Sequence, residues 1–136
     1  MQKLGFILIF LIFGQFVIAQ TTPKKDGSEI TFTEKSHAFG DITEGSTVSY
    51  VFKFKNTGNK PLVVNNVLTQ CGCTAPEWPQ DTIPAGKSGV IKINFNSTGK
   101  SGLQNKTATV MTNANNPMEQ LIITTNVLPR PAAGNK

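Results

Sequence analysis

The two cysteines of this chain are the residues best suited to do chemistry, and they lie one residue apart as Cys71-Gly72-Cys73. In an exported protein, cysteines meet an oxidising compartment and tend to form disulfides. A bridge between residues i and i+2, however, closes a loop too short to stabilise a fold by much. The pair is therefore either a local lock on a turn or a site with a chemical use.

Four interpretations of this pair are open from the sequence. A disulfide, or two half-buried thiols, would fix the turn after a strand, with Gly72 supplying the backbone freedom that a tight ring needs. A strained and exposed bridge would instead exchange with other thiols. Two thiolates could bind a soft ion such as Cu(I), with His37, Met111 or Met118 as a third ligand. A nucleophilic cysteine would need an oriented base, for which His37 is the only histidine.

Among these interpretations, we predict a structural disulfide or thiol site at Cys71 and Cys73, with no catalytic residue and no cofactor. The alternative is a thiol-based site for copper handling or redox exchange, with Cys71, Cys73 and His37 as the candidate metal ligands. A tetrahedral zinc site would need four ligands, and the chain has no second pair of cysteines or histidines at ligand spacing.

The N-terminus predicts export. Lys3 supplies a positive charge, an apolar run extends from Leu4 to Phe13, and the small residue Ala19 suits a signal peptidase. Residues 1–19 are therefore interpreted as a signal peptide, cleaved before Gln20. The apolar run is shorter than the roughly 20 residues that a spanning helix requires, so we expect no membrane span after cleavage. The protein should then be periplasmic or extracellular.

The charge pattern disfavours nucleic acid as a partner. The net charge is +5, but acidic residues are interspersed and Arg130 is the only arginine. Arginine is the residue that recognises phosphate most specifically, so the usual tools for nucleic-acid binding are missing. A protein or another component of the cell envelope is the expected partner.

Apolar and polar residues alternate along most of the remaining chain, which indicates strands. In the clearest case, from Thr47 to Lys55, the side chains of Val48, Tyr50, Phe52 and Phe54 share one face. Further strands are predicted at residues 30–33, 37–42, 62–68, 91–95, 104–112 and 121–128, with a bulge at Asn65-Asn66. About seven short strands favour an all-β fold, an antiparallel β-sandwich of immunoglobulin type.

The domain organisation follows from the same pattern. A polar linker is predicted at residues 20–28, the sandwich at 29–128 and a short disordered tail at 129–136. Three prolines between Cys73 and Ser88 predict an irregular crossing loop, in which Trp78 covers an edge of the core. In this loop, Asp81-Thr82-Ile83 is similar to an O-glycosylation acceptor of some bacteria, although Thr82 fits an ordinary loop residue as well.

Several motifs together resemble a known family. They are Phe39-Gly40-Asp41-Ile42, Phe52-Lys53-Phe54-Lys55-Asn56-Thr57-Gly58, Pro61-Leu62, Cys71-Gly72-Cys73-Thr74, Pro84-Ala85-Gly86-Lys87-Ser88-Gly89 and Val110-Met111-Thr112-Asn113. The chain resembles, over about residues 32–128, the bacterial exported family called domain of unknown function 1573. That family is similar in plan to the sandwich domains of abnormal-spindle and hydin type proteins, which act as docking or scaffold modules. The resemblance implies the fold and no catalytic activity.

These observations together predict a non-catalytic, exported β-sandwich that serves as a binding or structural module of the bacterial cell envelope. The composition and the strand pattern identify no ligand.

Overall fold

The computed structural model describes residues 26–133, in which the alternating segments form eight strands. The strands are β1 (Ile30–Phe32), β2 (Ser36–Thr43), β3 (Thr47–Asn56), β4 (Val64–Thr69), β5 (Thr74–Glu77), β6 (Ser88–Asn96), β7 (Gly102–Thr112) and β8 (Met118–Leu128). Within residues 26–133, no helix is long and apolar enough to cross a membrane. The predicted signal peptide, residues 20–25 of the predicted linker and residues 134–136 lie outside the described residues.

The eight strands form two sheets that pack face to face. Sheet I has the order β1-β3-β6-β5 and sheet II the order β2-β8-β7-β4. In immunoglobulin nomenclature these orders correspond to strands ABED and GFC, with β2 added beside the last strand. The predicted immunoglobulin-like sandwich is therefore confirmed. It is not purely antiparallel, because β2 pairs with β8 in parallel.

The core lies between the sheets and is built by strand alternation. Phe52 and Phe54 of β3 are buried, whereas Lys53 between them is exposed. The neighbouring strand β6 contributes Ile91, Ile93 and Phe95 in the same way. Sheet II adds a second set of buried apolar side chains, which consists of Val64, Val67, Ala108, Val110, Leu121, Ile123 and Val127. The face that the sequence assigned to β3 is confirmed.

The region between Cys73 and Ser88 differs from its prediction, because it contains strand β5 and not only irregular loop. Pro76 lies within this strand, opposite Ile93 of β6. An edge strand pairs on one side only, and it therefore tolerates a residue that lacks a backbone N–H group. The sandwich has eight strands for this reason. The bulge predicted at Asn65-Asn66 is confirmed, since the register shifts between Val64 and Asn66.

A buried amide holds together the turns at one end of the sandwich. The side chain of Asn56 is fully buried, and its Nδ2 donates hydrogen bonds to the carbonyl oxygens of Lys60 (2.7 Å) and Ile83 (3.0 Å). Its Oδ1 accepts hydrogen bonds from the backbone N–H groups of Gly58 (3.1 Å) and Glu29 (3.4 Å). One side chain thus connects β1, the β3–β4 turn and the loop before β6.

The packed domain begins before Glu29, where the sequence placed its boundary. Ser28 is buried, and a Cβ atom on Gly58 would lie 2.2 Å from the carbonyl oxygen of Gly27. The chain entering β1 therefore presses against the β3–β4 turn, which explains why position 58 is glycine. At the other terminus, Arg130 of the predicted tail forms an ion pair with Glu44 at 3.0 Å.

Replacing Phe52 by alanine should lower the free energy of unfolding by about 3–5 kcal/mol, because it leaves a cavity in the middle of the core. Lys53→Ala, at the adjacent exposed position, should change it by less than about 0.5 kcal/mol. Urea denaturation measures both values. Equal losses in the two variants would contradict the alternation of β3.

Asn56→Asp should destabilise the domain by about 3 kcal/mol at neutral pH, since an ionised carboxylate cannot donate to the two carbonyl groups that face it. Burial raises the pKa of the introduced carboxyl above its unfolded value of about 3.9. The loss should therefore be small below that pH and grow as pH rises towards the raised pKa. Urea denaturation at several pH values tests this, and Asn65→Asp, at an exposed position, should show no such dependence.

Candidate functional site

The cysteine pair occupies the corner where the chain crosses from the edge of sheet II to the edge of sheet I. Cys71 and Cys73 lie between β4 and β5 and are joined by a disulfide, with their Cα atoms 5.3 Å apart. Both cysteines are half-buried, and Cys73 packs against the core. Gly72, between them, is exposed. The bridge is thus neither covered by the core nor fully open to solvent.

Hydrogen bonds fix this turn independently of the bridge. The Thr74 N–H group donates to the carbonyl oxygen of Cys71 (3.3 Å), and the Asn96 N–H group donates to that of Cys73 (2.9 Å). The Thr69 hydroxyl lies 3.3 Å and 3.2 Å from the carbonyl oxygens of Cys71 and Thr74. The turn should therefore keep its shape when the sulfur atoms are reduced.

Gly72 does not play the part that the sequence suggested. It is not among the glycines of residues 26–133 that adopt a positive φ, so its backbone conformation is open to other residues. A Cβ atom at this position would meet nothing within 4 Å. The fold therefore does not require glycine at this exposed position.

The structure does not bring the predicted third metal ligands to the cysteines. His37 is on β2, at the opposite edge of sheet II from β4, and its ring stacks on Tyr50 with centroids 3.6 Å apart. Met111 and Met118 face each other across β7 and β8, at the end of β4 that lies away from Cys71. Residues 26–133 contain no group of three or more potential His, Cys, Asp or Glu ligands. His37 instead contacts the aromatic rings of Phe39 and Tyr50.

Two further predicted positions lie away from the bridge. Trp78 follows β5, at the opposite end of that strand from Cys73, so it does not cover the disulfide. It is half-buried and packs against the core, as its prediction required. Thr82 is exposed in the loop before the buried Ile83.

A second candidate site, which the sequence analysis missed, is a groove on the outer surface of sheet I. It has a volume of about 320 Å³ and is lined by Val51, Glu77, Trp78, Pro79, Val90 and Lys92. We call these residues the Trp78 groove. Val51 and Val90 are 40% and 47% exposed, respectively. Because Val51 pairs with Lys92 and Lys53 with Val90, each exposed valine has a lysine directly beside it.

The groove combines an apolar floor with a basic rim. Lys53 and Lys55 of β3 extend from the same face as Lys92 of β6. The only acidic residue of the groove, Glu77, has a lowered pKa because the Asn94 amide donates a hydrogen bond to it at 2.7 Å and Lys92 lies 3.4 Å away. Its charge is thus already partnered. The surface presents excess positive charge around exposed apolar side chains.

The Trp78 side chain adds an unusual feature to this groove. Its indole Nε1 is buried and has no hydrogen-bond partner among the described residues. A buried donor without an acceptor is destabilising.

The sequence does contain a signal for the groove, because Val51 interrupts the otherwise polar face formed by Ser49, Lys53 and Lys55.

Comparison with known proteins agrees with this architecture. The family model described as "Protein of unknown function (DUF1573)" matches residues 30–127. The chain belongs to this family. Among curated proteins, none matches the chain in sequence.

Solved structures show the same fold at low sequence identity. A protein of unknown function from Porphyromonas gingivalis W83 is 16% identical, with a TM-score of 0.61, and the match covers 81% of this chain and 51% of that one. The human CEP192 PapD-like domain 7 is 11% identical with the same TM-score of 0.61, and the match covers 90% of this chain and 99% of that one. The secreted serine protease VesC from Vibrio cholerae is 12% identical, with a TM-score of 0.56, and the match covers 73% of this chain and 23% of that one. This chain thus spans about half of the first protein and less than a quarter of the third.

Protein isolated under non-reducing conditions should be lighter than the reduced chain by two hydrogen atoms, because Cys71 and Cys73 form a disulfide. Intact-mass spectrometry measures this difference. Replacing both cysteines by serine should leave the domain folded, since the bridge constrains only a very short loop and hydrogen bonds fix the turn. Gly72→Ala should change the melting temperature little. Unfolding of the double-serine variant would contradict the structural reasoning.

Proposed function

We propose that this protein is a non-catalytic docking module, exported to the bacterial cell envelope, which binds an acidic segment of another protein. The Trp78 groove is the observation that carries this proposal, because it combines exposed apolar side chains with a row of lysines, of which Lys53 and Lys55 form no ion pair among residues 26–133. Export rests on the predicted signal peptide, and the disulfide between Cys71 and Cys73 supports it.

The apolar part of the groove supplies the anchor. Val51 and Val90 are two of the six large hydrophobic residues that remain exposed among residues 26–133. They lie beside Trp78, and binding energy tends to concentrate at tryptophan in protein interfaces. A large apolar side chain of the partner would bury all three and exclude water from them.

The charged part of the groove selects the partner. Lys53 and Lys55 would face carboxylate groups of the partner. Lys92, on the neighbouring strand, pairs with Glu77 and neutralises the only acidic side chain of the groove. Lysine recognises charge without fixed geometry, so an acidic peptide with variable side-chain positions suits this surface. The only arginine, Arg130, pairs with Glu44 instead of contributing to the groove.

The environment of His37 favours a binding role over catalysis. The only histidine of the chain stacks on Tyr50 and contacts Phe39 edge-on at 4.7 Å between centroids, where it serves packing.

A second candidate function is thiol exchange at the disulfide. The partial exposure of Cys71 and Cys73 favours it, because an attacking thiolate needs access to a sulfur atom.

Fluorescence of Trp78 tests docking directly, since this is the only tryptophan of the chain. Peptides without tryptophan or tyrosine, with a central leucine flanked by glutamates, should shift its emission to saturation. The same peptides with flanking lysines should not. Binding should weaken as salt is raised, because the flanking charges remain near solvent.

Matched variants assign the effect to the groove. Lys53→Glu and Lys92→Glu should each weaken peptide binding at least about tenfold, equivalent to 1.4 kcal/mol. Lys100→Glu, on the loop between β6 and β7, should leave binding unchanged. An equal response to acidic and basic peptides, or none across the series, would overturn the proposal. A shift caused only by a sulfated polysaccharide would assign the face to an envelope polymer instead.

A further inference from the structure

The outer surface of sheet II is almost free of ionisable side chains. Strand β7 contributes its odd-numbered residues from Leu103 to Met111, and β8 contributes its even-numbered residues from Met118 to Leu128. The edge strands add outward residues such as Ala38 of β2 and Leu68 of β4. Within these four strands, Asp41 at the β2 edge is the one outward group that ionises. We call this surface the uncharged face.

Exposed apolar residues are concentrated on the same surface. Of the six large hydrophobic residues exposed among residues 26–133, four lie on the uncharged face: Leu68 (51%), Leu103 (88%), Met118 (64%) and Leu128 (42%). The other two belong to the Trp78 groove. Depletion of charge together with exposed leucine and methionine is typical of the central part of a protein interface.

The lysines of the described residues lie elsewhere. Lys106 of β7 points to the inner side of its strand, where its ammonium group lies 5.9 Å from the centre of the Phe95 ring. Lys35 pairs with Glu119, and Lys53 and Lys92 belong to sheet I. The chain carries a net charge of +5, so two copies repel each other on average. The uncharged face is the surface on which they approach without placing lysines against lysines.

We propose that the uncharged face binds a second copy of this chain, and that two sheets II pack against each other in a symmetric dimer. Apart from Asp41, its polar residues are serine, threonine, asparagine and glutamine, whose side chains each carry a hydrogen-bond donor and an acceptor. Such a surface is complementary to itself, as a two-fold interface requires. A strongly charged partner would find no counter-charges here, apart from Asp41, which already accepts a hydrogen bond from Asn126 at 2.9 Å.

The size of the face fits a reversible dimer. Strands of 8, 6, 11 and 11 residues cover about 600 Å² per copy, taking about 3.3 Å per residue and 4.8 Å between strands. Two copies would bury about 1,200 Å² in total, at the lower limit of stable interfaces. The dimer should therefore dissociate at accessible concentrations, and the Trp78 groove on the other sheet stays open in both copies.

Sedimentation equilibrium of the purified protein, starting at Gln20, tests the dimer between about 1 and 300 μM. We expect the mass to rise from one chain to two chains and to stop there. The transition should depend little on salt, because the contact contains few charges. A monomer throughout this range would overturn the proposal, and growth beyond two chains would overturn the closed two-fold arrangement.

Variants locate the contact. Leu68→Lys and Thr109→Lys alter cross-strand neighbours on the uncharged face, and each should raise the dissociation constant at least about tenfold. Val90→Lys, a change at a similarly exposed position on sheet I, should leave the dimer intact. Circular dichroism verifies that each variant is folded. If Val90→Lys weakens the dimer as much as Leu68→Lys does, the assignment to sheet II fails, whatever the peptide measurements give.

Discussion

The buried side chain of Asn56 is the constraint on which one end of this sandwich depends. A primary amide without water must satisfy both its donors and its acceptor within the protein. Here the donors and the acceptor bind four backbone groups, in the entry to β1, the β3–β4 turn and the loop before β6. The backbone of Asn56 is bonded to the turn at Gly86 and Lys87 as well. Segments far apart in sequence are thereby held in one arrangement.

This arrangement determines how the chain begins and where its surfaces lie. Because β1 is held beside β3, the chain must leave sheet I after Phe32 and cross to sheet II, where β2 pairs with β8 in parallel. The crossing gives each sheet four strands, and no other strand or helix of residues 26–133 covers the two outer surfaces. The two surfaces differ in character: sheet I presents lysines around two valines, whereas sheet II presents amides, hydroxyls and aliphatic groups. The two proposed contacts therefore use opposite faces of one small domain.

The cysteine pair is a feature of the connection between the sheets. Backbone hydrogen bonds from Thr74 and Asn96 already fix the conformation of the turn that contains it. The disulfide therefore adds little to the stability of this turn. Neither His37 nor the methionine pair lies near the cysteines. His37 is on β2, at the edge of sheet II opposite β4, and Met111 and Met118 pair at the end of sheet II away from Cys71. Residue type alone suggested these side chains as metal ligands, whereas the sheet order places them away from the cysteines.

The sequence by itself determined the all-β fold, the buried faces of β3 and β6, the bulge before Asn66 and the family. These features follow from the alternation of apolar and polar residues and from turn residues. Both are local patterns, which can be interpreted without knowing which strands pair. It did not give strand β5, because a proline such as Pro76 is excluded from a strand unless that strand is known to lie at an edge.

Only the tertiary structure decided which strands are neighbours, and with them the position of every site. Val51 is an irregularity in a polar face until β6 places Val90 diagonally across from it and the chain after β5 brings Trp78 to the same side. Likewise, the residues of the uncharged face come from four strands that are distant in sequence, and no local pattern records that they share one surface. The face of the sheet to which a side chain points is determined within its own strand. The order of the strands depends on pairing between segments distant in sequence, which a single sequence does not reveal.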